Sequence, residues 1–359
     1  MRIVDVRIHL VPAPAAPPYR WRAGLPGSER EGVGAMLRIV TDEGVEGIAT
    51  THRGKIVADL VERRLRDELI GQDPLQREWL WHRVWELDRI EEFPIYALGL
   101  VDVALWDLAG KVAGLPVYQL LGGYRSAIPA YASTVTFDSV AEYLDVADQC
   151  LALGYPAIKL HAWGDARRDG RLCQDLRKHV GDEIALMYDG SAGFNPYEAL
   201  YLGRALEEAS YYWYEEPMRE FSITAYRRLA EMVRIPLLVA ETSDGAHMNV
   251  ADFIAAGCAT FVRTSAGFKG GITGAMRIAH LADAFRLRAE VHGGGLVHTH
   301  LCMAIPNTTY YESLVMTNPV VREPAVDEQG LVHAPTAPGI GFEAHWGDTA
   351  PWESGPLVE

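Results

Sequence analysis

Three acidic residues in the middle of the chain stand at equal intervals, and each closes a short apolar run: Asp189 after Leu186-Met187-Tyr188, Glu215 after Trp213-Tyr214, and Glu241 after Leu238-Val239-Ala240. Each interval is 26 residues. The runs are β-prone and are followed by helix-like segments, so each reads as one strand of a parallel βα repeat with a carboxylate at its C-terminal end. In a barrel built of such units the strand C-termini share one mouth, where residues are catalytic rather than structural. Three carboxylates aimed at one point repel one another unless a hard divalent cation neutralises them. An all-oxygen ligand set with room for water suits Mg2+. Asp189, Glu215 and Glu241 are therefore expected to be metal ligands. The competing reading is three unrelated surface acids, and the twice-repeated interval argues against it.

A second group could move protons. Side chains two apart on a strand share a face, so Lys159 and His161 point the same way while Leu160 points the other. At a barrel mouth this pair would bring an ammonium and an imidazole to the same bound substrate. An imidazole titrates near working pH, where acid–base catalysis is most efficient. His292 ends another apolar run, Ala289-Glu290-Val291, and is followed by Gly293-Gly294-Gly295, which would let backbone and ligand approach closely. His298 and His300 come soon after, so any of the three histidines could be the participant. Glu312 lies at the end of the last strand-like run.

The elements that must position these residues are legible in the hydrophobic pattern. Strand-like runs centre near Ala130, Ile158, Leu186, Trp213, Leu238, Phe261, Glu290 and Tyr310, separated by amphipathic stretches such as Phe137 to Leu153 and Thr273 to Arg286. Most intervals equal one βα unit, and the last is shorter. Ahead of them, Val4, Val6, Ile8 and Leu10 alternate with polar residues as in a half-buried strand. A Pro- and Arg-rich segment from Val11 to Arg30 is long enough to be a functional loop. Ala35–Val40 and Val45–Thr50 then form a hairpin through Thr41-Asp42-Glu43-Gly44. Helices are expected over 56–70 and 74–88, and a third carries Leu98, Val101, Leu105, Leu108 and Val112 on one face. A meander followed by helices is a domain distinct from a barrel. The fold class is α/β: a (β/α)7β TIM-like barrel with an α+β N-terminal capping domain.

The third helix carries a family signature. Asp102-Val103-Ala104-Leu105-Trp106-Asp107-Leu108-Ala109-Gly110-Lys111, then Gly114-Leu115-Pro116-Val117 and Leu120-Leu121-Gly122-Gly123, resembles the linker helix of the mandelate racemase branch of the enolase superfamily. The resemblance runs on to Pro338-Gly339-Ile340-Gly341. It implies a capping domain over residues 1–125, completed by 330–359, around a barrel over 126–329. Where the family carries Lys-x-Lys on the second barrel strand, this chain has Lys159-Leu160-His161. By that resemblance Lys159 stabilises developing negative charge and His161 stands where the base belongs. His292 falls at the family's catalytic histidine on the opposite face of the substrate. Glu312 falls where a protonated glutamate donates a hydrogen bond to the substrate carboxylate, and burial among acids is expected to raise its pKa. The pattern breaks at Ser265, five residues before Gly270-Gly271, where the family has the aspartate that orients the histidine. Ser265 could fix a tautomer but not stabilise an imidazolium, and Lys269 receives no role. Arg22, His52 and Arg53 lie in the two capping loops that typically cover the mouth, and with Ser265 are expected to contact substrate.

At 359 residues the chain accommodates a barrel of roughly 250 residues and a smaller companion. The formal charge of −15 argues against nucleic acid or an anionic membrane surface as partner. It does not exclude an anionic substrate, because a bound cation reverses the local sign. The four cysteines are scattered without metal-type spacing, as in a reduced cytosolic protein. With no signal-peptide core and no membrane-length run, a cytoplasmic protein is expected, as is a homo-oligomer. The expected activity is Mg2+-dependent abstraction of a proton α to the carboxylate of a small molecule, leading to dehydration of a sugar acid to a 2-keto-3-deoxy acid. Racemisation or epimerisation, cycloisomerisation, and a metal-binding barrel with little catalysis are the alternatives.

Overall fold

The computed structural model describes residues 1–12, 17–27 and 32–344. Parts of the expected capping loop (13–16 and 28–30) and of the C-terminal completion (345–359) lie outside the described residues. The chain opens with an antiparallel meander, β1 (Ile3–Pro12), β2 (Val33–Thr41) and β3 (Glu46–Thr51). Val6, Ile8, Leu37 and Ile39 fill its inner face, as the alternation requires. Next come α1 (Gly54–Leu60), a π-helical segment (Val61–Leu65), α2 (Arg66–Leu69), α3 (Arg77–Glu91), α4 (Tyr96–Ala113) and the short α5 (Val117–Leu120).

Helix α4 carries the signature motif, and its acids tie domains together rather than act in chemistry. Asp102 accepts from the Thr273 backbone N–H at 2.9 Å and from its hydroxyl at 2.5 Å, while Trp106 donates to that hydroxyl at 2.9 Å. Asp107 accepts from Ile48 N (2.9 Å), Ile340 N (2.8 Å) and Lys111 Nζ (2.6 Å), joining the meander, the C-terminal segment and its own helix. Burial of such carboxylates is tolerable because each is fully hydrogen-bonded. Gly47 lets β3 lie against α4 backbone to backbone, since a Cβ there would stand 2.1 Å from the Ala104 carbonyl oxygen. Of the five residues expected on one face, Leu98, Val101, Leu105 and Leu108 are buried, while Val112 is exposed on the last turn.

Eight parallel strands follow, β4 (Ala127–Thr134), β5 (Ala157–His161), β6 (Ala185–Asp189), β7 (Trp213–Glu215), β8 (Leu237–Val239), β9 (Phe261–Thr264), β10 (Arg288–Val291) and β11 (Tyr311–Val315). Seven helices alternate with them: α6 (Val140–Ala152), α7 (Ala166–Val180), α8 (Pro196–Glu208), α9 (Ile223–Met232), α10 (Ala246–Ala255), α11 (Gly271–Ala284) and α12 (Leu296–Ala304). This is the expected (β/α)7β order. Strands pair in sequence from β4 to β10, and β11 pairs with β4. Between β10 and β11 the ring is bridged by Ala289 N to Asn307 O (3.0 Å) and Thr309 to Glu290. Tyr131, Met187, Trp213, Leu238 and Phe261 plug the interior below the mouth, as in packed barrels generally. A last strand, β12 (Leu331–His333), pairs antiparallel with the start of β4. No helix among the described residues is long and apolar enough to cross a membrane.

Candidate active site

Strand register sets the site. His161 of β5 stands beside Asp189 of β6, and Asp189 beside Glu215 of β7, so the three lie at one level at the strand ends. Glu241 lies two residues past β8, beyond a left-handed turn at Ala240 (φ 68°). One carboxylate oxygen from each of Asp189, Glu215 and Glu241 lies within 4.8 Å of the others, and all three residues are buried.

The surroundings fit a hard divalent cation. Burial and the neighbouring Glu216, Glu215 and Asp189 push the Glu241 carboxyl well above its ordinary range. Its buried Oε2 has no hydrogen-bond partner among the described residues, and Arg263 Nε is 3.7 Å away. Burial also opposes ionisation of Asp189 and Glu215, but their neighbours outweigh it: His161 and Lys159 lower Asp189, and Arg263 and Lys159 lower Glu215. With Glu312, these carboxylates outnumber the two buried cations beside them, Lys159 and Arg263, so the site carries an excess of negative charge that a divalent ion would offset.

Lys159 is buried, its Nζ 2.9 Å from Glu312, 3.0 Å from Glu215 and 3.4 Å from Asp189. Burial alone would favour the neutral amine, yet Glu215 and Glu312 hold its pKa well above the ordinary lysine value. It is a fixed ammonium. His161 has Nδ1 2.7 Å from the Thr134 carbonyl oxygen, which makes Nδ1–H a donor and leaves Nε2 facing the site, 3.1 Å from Asp189 Oδ2. Trp21 from the capping loop packs on its ring, centroids 4.5 Å apart. His292 stands at the other end of the triad, Nε2 3.2 Å from Glu241 and 3.9 Å from Glu312, with Phe268 stacked against it. Burial lowers its pKa to about 4, Arg263 and Lys159 adding to the effect against the pull of Glu312. A nearby divalent cation would lower it further, so this imidazole rests neutral.

Two expectations need correction. Glu312 is not raised: burial pushes that way, but the fixed cations Lys159 and Arg263 hold it well below the ordinary range. Oε2 accepts from Gly293 N at 2.8 Å and Oε1 faces Lys159 Nζ at 2.9 Å, so both oxygens meet donors, as those of a carboxylate do. Ser265 does not address His292. Its Oγ lies 3.3 Å from Nε2 of His298, whose Nδ1 is 2.7 Å from the Gly294 carbonyl oxygen. His300 accepts from Tyr118 N and donates to Ile340 O, a structural role.

The capping residues divide. Arg22 donates to the backbone carbonyls of Ser191 (3.0 Å) and Ala23 (3.0 Å), clamping its loop to the barrel, and a Cβ on Gly193 would press on its side chain at 2.7 Å. The hydrogen bond to Ser191 holds the capping loop on the barrel. His52 and Arg53 line a cavity of about 890 Å³ between the cap and the barrel, together with Trp21, Ser265, His292 and His298. Sequence reasoning missed Arg263. It rises from β9 into the barrel, with Nε on Glu215, Nη2 donating to the Tyr131 hydroxyl (3.0 Å) and Nη1 to the Val291 carbonyl (3.1 Å).

A capping meander joined by a tied linker helix to a (β/α)7β barrel with an Asp–Glu–Glu mouth defines a class, and family comparison places the chain in it. Residues 10–122 match the mandelate racemase / muconate lactonizing enzyme N-terminal domain and residues 142–348 the enolase C-terminal domain-like family, so the chain belongs to this enzyme family. Among its relatives is a 3,6-anhydro-alpha-L-galactonate cycloisomerase of Streptomyces coelicolor, 30% identical over 85% of this chain and 87% of its own length. Among solved structures, a D-glucarate dehydratase from Agrobacterium tumefaciens complexed with magnesium superposes with TM-score 0.87 at 33% identity, covering 95% of this chain and 96% of that one. An L-talarate dehydratase from Polaromonas sp. JS666 complexed with Mg and L-glucarate gives TM-score 0.84 at 27% identity, covering 96% and 95%.

Proposed function

We propose that this chain is a Mg2+-dependent dehydratase of an acid sugar, yielding a 2-keto-3-deoxy acid. The observation that carries the reading is the placement of two imidazoles at opposite ends of one carboxylate triad, His161 at Asp189 and His292 at Glu241, with Lys159 between them. The dehydratases among its similar structures, one with magnesium and one with Mg and L-glucarate, support the cation and the substrate class.

Asp189, Glu215 and Glu241 would hold the ion, which supplies Lewis-acid stabilisation of charge on the substrate carboxylate. Removing a proton α to a carboxylate places a second negative charge beside the first. Lys159 meets that charge with a preorganised ammonium. His292, neutral at rest, accepts the α-proton at Nε2, and Glu312 at 3.9 Å steadies the imidazolium that forms. His161 passes a proton to the departing β-hydroxyl, so water leaves and the resulting enol becomes the keto acid. His52 and Arg53 on the cavity wall select among substrates.

The test is to incubate the purified protein with Mg2+ and a panel of aldonic and aldaric acids, following keto acid and α-hydrogen exchange in D2O. Failure of both across the panel would remove this reading. The same two imidazoles favour a second one, racemisation or epimerisation, which exchange without loss of water would select.

A further inference from the structure

We propose that Arg263 is a resident counter-cation of the metal site, which offsets the repulsion within the carboxylate cluster and keeps it folded until a divalent ion arrives. The inference rests on reading Asp189, Glu215 and Glu241 as that ion's ligands.

An arginine in the middle of the four-residue strand Phe261–Thr264 is an expensive element, because a buried guanidinium destabilises a fold unless its donors are matched. Here they are matched from three sides. Nε meets Glu215 Oε1, Nη2 meets the Tyr131 hydroxyl and Nη1 meets the Val291 carbonyl, while the guanidinium lies 5.6 Å from the Trp213 ring centroid. Glu215 is thereby gripped on both oxygens: Arg263 from β9 on Oε1, and on Oε2 Lys159 from β5 at 3.0 Å and Trp213 Nε1 from β7 at 3.2 Å. Its orientation is set without any ion.

Glu241 is the opposite case. Its Oε2 is buried and has no hydrogen-bond partner among the described residues, with Arg263 Nε at 3.7 Å, too far for a bond but close enough to reduce repulsion. The same guanidinium is 3.9 Å from Glu312 Oε2. One fixed cation therefore stands against three of the four carboxylates. It has a cost, since a positive charge beside the site also opposes the incoming dication. Deleting it should make the empty protein less stable and the ion bind more tightly.

The experiment compares wild type with Arg263→Met and Arg263→Lys, measuring melting temperature in EDTA and in saturating Mg2+, and Mn2+ affinity by calorimetry. In Arg263→Met the metal-induced rise in Tm should at least double, and the Mn2+ Kd should fall about tenfold, the two being linked because an ion that binds only the folded state stabilises it through its Kd. Arg263→Lys, which keeps the charge, should bring both quantities back toward wild type. A Met variant that folds only with Mn2+ supports the inference in its strongest form. Equal loss of Tm with and without metal, an unchanged or weaker Mn2+ affinity, or failure to fold even in saturating Mn2+ overturns it. Wild-type protein that binds no Mn2+ would instead remove the metal reading beneath it.

Discussion

Replacing each site histidine by asparagine separates the two proton-transfer roles. In His292→Asn the nitrogen 3.2 Å from Glu241 and 3.9 Å from Glu312 is lost, and with it the acceptor for the α-proton. A positioned acid or base is typically worth 100- to 10,000-fold, or about 3–5 kcal/mol of barrier. The structure places this case toward the upper end. A pKa near 4 makes His292 a weaker proton acceptor than free imidazole by about 3 kcal/mol, so the transfer depends on Glu312, 3.9 Å from Nε2, which favours the imidazolium, and on Lys159, whose ammonium stabilises the enediolate left behind. In His161→Asn the shorter amide can keep the bond to the Thr134 carbonyl but cannot reach the Nε2 position beside Asp189. The assay is 1H NMR of a turned-over acid sugar in D2O with Mg2+, reading α-hydrogen exchange and keto-acid formation separately. His292→Asn should lose both by at least about 1,000-fold, while His161→Asn should lose product formation by about 100-fold or more yet retain exchange. Wild-type exchange in His292→Asn, or its disappearance in His161→Asn alone, would refute the assignment of base and acid.

Lys159→Met should lower kcat by about 100- to 1,000-fold, the usual effect of deleting one preorganised charge-stabilising donor, without weakening Mg2+ binding. Steady-state kinetics with a parallel Mg2+ titration checks this, and a loss under tenfold would contradict the role. A pH effect on stability should come from Asp102, whose pKa burial raises from 3.8 to about 7 against the two hydrogen bonds from Thr273. A raised folded-state value means the native protein binds this proton more tightly than the unfolded chain does. The contribution is full below pH 4 and is lost as pH rises through 7. Between pH 5 and pH 8 that loss is about 2–3 kcal/mol. Urea unfolding at the two pH values should show Asp102→Asn flatter than wild type by this amount, and parallel slopes would refute it.

Much of this was legible in the sequence, for physical reasons. The βα repeat spaces strand ends regularly, so Asp189, Glu215 and Glu241 announced themselves by interval, and the two-residue period of a strand put Lys159 and His161 on one face. The same period could have found Arg263: Phe261 and Arg263 alternate along β9, with Ser265 one residue past its end, and a charge inside an apolar run must have buried partners. Glu312 came out with the wrong sign because the sequence showed the neighbouring acids but not that Lys159 and Arg263 reach it from other strands. The Ser265 and His298 contact joins the loop after β9 to helix α12, 33 positions apart, and the packing of Trp21 on His161 depends on how a long loop folds over the barrel; neither leaves a periodic trace. The acids of the α4 motif marked the family correctly while serving as ties between domains.

Anomalous diffraction from crystals grown with Mn2+ addresses the central claim most directly. The account requires a peak between Asp189, Glu215 and Glu241, with one oxygen of each at about 2.0–2.2 Å, close to the distances Mg2+ itself demands. A peak elsewhere, or the three carboxylates turned apart with no ion between them in saturating Mn2+, would contradict it.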